Sequence, residues 1–288
     1  MAIPNRSRHK KIGSVLIPFA FLVLTACGAH SSTNSSGQPS DHMGNDMHSV
    51  DADHGLSDTR DGYKLTIDNL TFDVGKPGTL RFRITNPNGE TQTNFAIDQT
   101  KLMHTYVIRN DTTNFQHLHP ELTDGTFSVP IAFSTSGSYR IYCDFVAKDS
   151  ADKDHPLTLS ATATVPGDSL ATPLPPASNS ASVDGYVVTF SGEMMAGMGH
   201  DLTATITKDG QPVTDLEPYL DTFAHLTAFN ADTLAVTHLH PRNVASSGQG
   251  GPTLMFMAEF PASGNYRLFV QFRTAGQLHT AAVTYHVS

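Results

Sequence analysis

Hydrophobic residues in this chain recur with period two, in short runs separated by turn residues. Tyr63, Leu65 and Ile67 alternate with Lys64 and Thr66, and Leu80, Phe82 and Ile84 alternate with Arg81, Arg83 and Thr85. Successive side chains of a strand point to opposite faces, so this alternation predicts half-buried β-strands. His104, Tyr106 and Ile108 fall on one face of a strand that Asn110-Asp111 closes. Phe115, His117 and His119 share the next face, with Leu118 opposite, and Tyr139, Ile141, Cys143 and Phe145 share another. Leu157 to Val165 reads as a closing strand, and Asn86-Pro87-Asn88-Gly89 as a turn. Nothing from Tyr63 to Val165 carries helical periodicity. Short strands at regular spacing predict an all-β sandwich.

The second half repeats the first. Val187-Val188-Thr189-Phe190 opens it, Leu202, Ala204 and Ile206 alternate, and Lys208-Asp209-Gly210-Gln211 predicts a hairpin turn. Tyr266, Leu268, Val270 and Phe272 reproduce the face of Tyr139 to Phe145. The histidines mark the duplication most plainly. His104 is followed 13 positions later by Gln116-His117-Leu118-His119-Pro120, and His225 is followed 13 positions later by Thr237-His238-Leu239-His240-Pro241. Phe133 to Arg140 matches Phe260 to Arg267 across a shared Ser-Gly-x-Tyr-Arg, and His155 and His279 each precede the last strand. The expectation is two tandem β-sandwich domains, 63–165 and 183–288, joined by a proline- and serine-rich linker, 166–182.

A length of 288 residues suits two such domains, and 39% hydrophobic content with 16 Phe and 8 Tyr can fill two modest cores. Only 16% of residues are charged, which argues against a disordered polyelectrolyte. The net charge of −9 repels nucleic acid and favours cations. Loss of Arg6, Arg8, Lys10 and Lys11 with a leader would take it to −13.

Such a leader is expected over residues 1–26. Arg6 to Lys11 is a basic segment, and Ile12 to Ala26 is an apolar run of 15 positions, short for a membrane span. It ends in Leu24-Thr25-Ala26-Cys27, which resembles the bacterial lipoprotein cleavage box. The resemblance implies cleavage before Cys27, lipid on its thiol, and a chain held outside the cytoplasmic membrane. Cys143 is then the only free thiol, so no intramolecular disulfide forms. It aligns with Val270 and reads as a small buried hydrophobe. Residues 27–62 read as a flexible tether containing Asp41-His42-Met43-Gly44-Asn45-Asp46-Met47-His48, then Asp51, Asp53 and His54. These groups would be low-affinity metal collectors, or an inert solvated linker.

Two histidines at i and i+2 of a strand point the same way, so His117 with His119, and His238 with His240, can each offer two imidazoles to one ion. His104 and His155 in the first copy, and His225 and His279 in the second, are the candidate further ligands. Three or four nitrogens suit Cu(II) or Zn(II). The competing reading is structural. The same parity includes Phe115 and Val236, so these imidazoles lie on an apolar face, where backbone carbonyls can satisfy them. One stretch favours metal in the second copy. Glu193-Met194-Met195-Ala196-Gly197-Met198-Gly199-His200 has no counterpart in the first, and Met194, Met195, Met198 and His200 offer soft sulfur beside imidazole.

The repeated His-Leu-His-Pro segments and the Gly-x-Tyr-Arg segments resemble those of bacterial envelope lipoproteins with YtkA-like or CopC-like domains. The resemblance spans about Tyr63 to Ser288. It implies an immunoglobulin-like or cupredoxin-like fold and, for the copper-handling members, metal delivery or sequestration. Cys143 is not followed by a nearby His and Met, so the ligand order of a blue-copper electron-transfer site is lacking. There is no glycine-rich phosphate loop, nucleophile elbow or His-Glu-x-x-His run, so catalysis is not expected. The expected function is an extracytoplasmic, lipid-anchored metal-binding protein, copper first and zinc as alternative, with another envelope metal-handling protein as a candidate partner. The alternative is an envelope interaction module with structural histidines.

Overall fold

The computed structural model describes residues 54–239, 242 and 249–288; for His238 it describes the backbone alone. Among these residues there is no helix. The predicted all-β architecture is correct, and the described residues fall in one compact unit that holds both sandwiches.

The first sandwich comprises β1 (Thr59–Arg60), β2 (Tyr63–Ile67), β3 (Pro77–Thr85), β4 (Phe95–Ala96), β5 (His104–Arg109), β6 (Gln116–Leu118), β7 (Glu121–Thr123), β8 (Thr126–Ala132), β9 (Gly137–Lys148) and β10 (Asp154–Val165). One sheet runs β1-β2-β3-β8-β7 and the other β10-β9-β5-β6, with β4 also paired to β9. The alternation read from the sequence is what fills the space between them. Leu80, Phe82 and Ile84 of β3 and Phe127 of β8 meet Val107, Ile141, Cys143, Phe145 and Leu159 from the other sheet. Cys143 is fully buried there as a free thiol, and burial pushes its pKa up.

The second sandwich repeats the plan with β11 (Ser180–Val183), β12 (Tyr186–Ser191), β13 (Gly199–Lys208), β14 (Gln211–Pro212), β15 (Ala224–Asn230), β16 (Val236–Leu239), β17 (Thr253–Glu259), β18 (Gly264–Thr274) and β19 (Gln277–Val287). Its sheets run β11-β12-β13-β14, with β17 on β13, and β16-β15-β18-β19. The predicted hairpin at Asp209-Gly210 joins β13 to β14, with both residues at positive φ (51° and 75°).

Two expectations shift at the edges. The tether, expected as far as Gly62, ends earlier. His54 accepts a hydrogen bond from the Val236 amide (3.0 Å), Ser57 accepts one from the Ser160 amide (2.8 Å), and β1 pairs with β2. Gly55, at φ +73°, threads between Thr158 and Val236, where an added Cβ would meet each side chain at 2.9 Å. The linker expected over 166–182 already contains the start of β11, and its Thr172 amide donates to the Asp111 carboxylate (2.8 Å).

The two sandwiches meet sheet against sheet. Strands β5 and β15 are buried at every position, although alternation alone predicts one wet face for each. Their second faces pack on one another. Tyr106, Ile108 and Tyr142 of the first copy cluster with Phe229 and Phe269 of the second, and Phe115, Val236 and Ala282 complete the cluster. Phe115 stacks on Phe269 with ring centres 4.3 Å apart, and the Tyr142 hydroxyl donates to the Leu234 carbonyl. The predicted histidine face is therefore an interdomain face.

Candidate metal centre

Register decides which histidines can meet. In β5, His104 shares its face with Tyr106, and in the pairing with β6 His117 lies opposite Tyr106. His119 follows two positions on, so it turns back toward His104. One ligand nitrogen from each of His104, His117 and His119 lies within 4.8 Å of the others. Ring centres are 5.4 Å apart for His104 and His117, 5.1 Å for His104 and His119, and 4.6 Å for His117 and His119.

The acceptors beside the outer nitrogens assign one tautomer to each ring. His104 Nε2 lies 3.2 Å from the Asp98 carbonyl, which can only accept, so Nε2 carries the proton and Nδ1 keeps its lone pair. His117 Nδ1 lies 2.7 Å from Gln271 Oε1, also an acceptor, so Nδ1 carries the proton and Nε2 keeps its lone pair. Gln271 Nε2 in turn donates to the Thr280 hydroxyl (3.3 Å). The two remaining nitrogens, His104 Nδ1 and His117 Nε2, then face each other at 3.1 Å. Two lone pairs at that distance repel unless a cation, either a proton or a metal ion, sits between them. Imidazole nitrogens sharing one tetrahedral ion, each about 2.0–2.1 Å from it, stand roughly 3.3 Å apart. Outer N–H groups donating to oxygen are also the usual support of metal-bound histidines.

His119 Nε2 is buried without a hydrogen-bond partner. Burial first, then the neighbouring His104 and Lys101, lowers its pKa from 6.5 to about 3. A neutral imidazole is the form that binds metal.

The copies use one anchoring device. Residues 98–101 form a tight turn with Gln99 and Thr100 at positive φ, and residues 219–222 form another with Leu220 and Asp221 at positive φ. Each turn presents a carbonyl to the histidine six positions after it. His225 Nε2 lies 3.1 Å from the Tyr219 carbonyl, as His104 does from Asp98. Neither turn holds glycine, and only the asparagine-free segments Asp98 to Lys101 and Tyr219 to Thr222 mark them, so sequence gives no signal for the device.

Two histidines expected as ligands face the other way. His279 pairs with Phe272, a core residue, whereas His225 pairs with Gln271 on the interdomain face. His279 instead sits against Tyr186 and contacts Asp184 (2.7 Å) and Thr274 (3.0 Å). His155 is its counterpart, near Tyr63 and 3.0 Å from Asp149, whose carboxyl it helps lower to about 2. Strand parity puts both on the face opposite the imidazole cluster.

The methionine loop also divides. Met194 is buried in the second core (3% exposed), while Met195 and Met198 are exposed, so the three thioethers do not share one setting. His200 pairs with Ala258, and its Nε2 is buried without a hydrogen-bond partner. Met255 and Met257 on β17 are exposed as well and were not singled out from the sequence, because alternation there reads as an ordinary outer face. Arg242 donates to Met257 Sδ (3.6 Å) and pairs with Asp201 (2.8 Å).

The second copy was expected to be the stronger site, yet among the described residues the triad lies in the first. His240 lies outside the described residues, as do Cys27 and the tether groups His42, Met43, Met47 and His48; of His238 only the backbone is described.

A protein family described as a domain of unknown function, DUF8832, matches residues 58–163 and again 181–288. No curated protein matches the chain. Among solved structures, the chain is similar to the Escherichia coli adhesin FdeC, with 15% identity, 80% of this chain and 65% of that one covered, and a TM-score of 0.25. It is also similar to Salmonella alpha-2-macroglobulin reacted with methylamine (11% identity, 81% and 15% covered, TM-score 0.27). A third is a putative membrane anchored protein from Corynebacterium diphtheriae (11% identity, 80% and 59% covered, TM-score 0.23). The chain spans less than two thirds of the length of each. Likeness this low carries no function with it.

Proposed function

The chain belongs to the DUF8832 family and carries that domain twice; from this premise we propose that it binds a transition-metal ion outside the cytoplasm, held to the membrane by lipid on Cys27. One observation carries the reading: His104 Nδ1 and His117 Nε2 face each other at 3.1 Å with their outer N–H groups already given to oxygen acceptors. His119 offers a third nitrogen within 4.8 Å of the others. Three neutral imidazoles suit Cu(II) or Zn(II), and copper is favoured because exposed Met195, Met198, Met255 and Met257 offer thioethers for the reduced ion elsewhere on the surface. Buffering or delivery of the ion fits better than catalysis, since no nucleophile or general-base arrangement accompanies the imidazoles among the described residues.

The test is elemental analysis and calorimetric titration of the full chain with Cu2+ and Zn2+. One tightly bound ion per chain is expected, lost in His117→Ala and in His119→Ala. A chain that takes up neither metal, or that binds both unchanged after these substitutions, overturns the assignment. The histidines would then be structural, and the paired sandwiches an interaction module.

A further inference from the structure

The triad does not lie on an outer surface of the first sandwich. It lies against the second, and two side chains of that sandwich face it. Gln271 of β18 holds His117 by its Nδ1–H at 2.7 Å. His225 of β15, the register partner of Gln271, lies beside the triad, with its ring centre 5.8 Å from that of His117 and 6.4 Å from that of His104. Its Nε2 lies 3.1 Å from the Tyr219 carbonyl and 3.2 Å from the Thr222 hydroxyl; a carbonyl only accepts, so the contact assigns the Nε2 proton and, in the neutral ring, the lone pair to Nδ1. Imidazoles that share one ion place their ring centres roughly 5–6.5 Å apart, depending on the angle at the ion.

We propose that the ion is held across the domain boundary: His104, His117 and His119 of the first copy bind it, His225 of the second is the fourth ligand, and Gln271 orients His117. This rests on the metal-binding reading above and adds to it what the second copy contributes. The nitrogens of His225 fall outside the 4.8 Å set formed by the other three. Metal uptake therefore draws the His225 ring inward across a boundary that is otherwise packed with aromatic side chains. The ion acts as a clasp between the sandwiches, and its loss loosens them.

Co2+ substitution of the full chain reads ligand number directly, because a four-coordinate nitrogen site absorbs visible light far more strongly than a five- or six-coordinate one. The wild-type chain is expected to give the intense four-coordinate spectrum. His225→Ala should lose that intensity and bind at least tenfold more weakly. Gln271→Ala should keep the spectrum's shape and weaken binding by about 10–100-fold, the usual effect of removing a support of a metal-bound histidine. His155→Ala and His279→Ala should change neither readout. Should His225→Ala fail to fold, as judged by circular dichroism, His225→Gln carries the same expectation with less disturbance of volume. Unchanged spectrum and affinity in the His225 variant, with metal bound normally by the wild type, overturns the cross-boundary site alone. Absence of metal from the wild type is a different outcome, and it removes the parent reading with it.

Discussion

Single side chains here are informative through the atom they leave over. An imidazole has two nitrogens, and naming the acceptor of one assigns the other. His104 gives its Nε2 proton to Asp98 and His117 its Nδ1 proton to Gln271, so the inner nitrogens are committed as lone pairs. His119 adds a pH signature. Its pKa is lowered to about 3 by burial and by the nearby His104 and Lys101. The unfolded chain takes up this proton near pH 6.5, while the folded chain resists it until about pH 3. The contribution of His119 is therefore complete above about pH 6.5 and is lost as pH falls from there toward about 3. Urea melts of the metal-free chain between about pH 7 and about pH 4 should show stability falling with acid. His119→Leu should flatten that slope, and parallel curves for the two proteins would contradict this account. His279 belongs to a different class. It is buried against Tyr186, with exposed Asp184 and buried Thr274 as partners, and its removal should cost about 1–3 kcal/mol of stability. Metal content should not change, and paired melts and elemental analysis separate the two effects.

At the scale of elements, β5 and β15 carry the argument. Each is buried along its whole length because each serves two cores, its own sandwich on one face and the neighbouring domain on the other. Period-two patterning reports that both faces are apolar or histidine-bearing, and it correctly placed His104, Tyr106 and Ile108 together. It does not say what covers the second face. Parity also sorts His155 and His279 away from the imidazole cluster, and here counting along one strand was insufficient: the pairing of His279 with Phe272, and of His225 with Gln271, was needed. Phe229 is fully buried between the domains. Phe229→Ala should destabilise by about 3–5 kcal/mol, as for other large core deletions, although it lies outside both sandwich cores. Denaturant unfolding measures this directly, and a cost below about 1 kcal/mol would mean that the interdomain face is not a core.

For the whole molecule, the sandwiches share an aromatic cluster, a wedged segment at Gly55 and the hydrogen bond from Tyr142 to Leu234. They should unfold as one cooperative unit, seen as coincident transitions by fluorescence and circular dichroism. An ion that binds only the folded chain raises the midpoint with its concentration, by about 2.7 kcal/mol of stability at a free concentration a hundred times Kd. A thermal scan with two separate steps, of which metal shifts only one, would show instead that each sandwich folds independently.

The linear chain by itself determined the all-β class, the duplication, the turn at Asp209-Gly210, the core positions and the pairing of His117 with His119. All of these follow from alternation and spacing, which are local properties of a strand. Tertiary structure alone decided that the histidine face is an interdomain face, that His155 and His279 lie across the sheet from it, and that Gln271 supports a residue 154 positions earlier. These depend on which strands become neighbours and on how two sheets stack. Such contacts join residues far apart in the chain, and no local period encodes them.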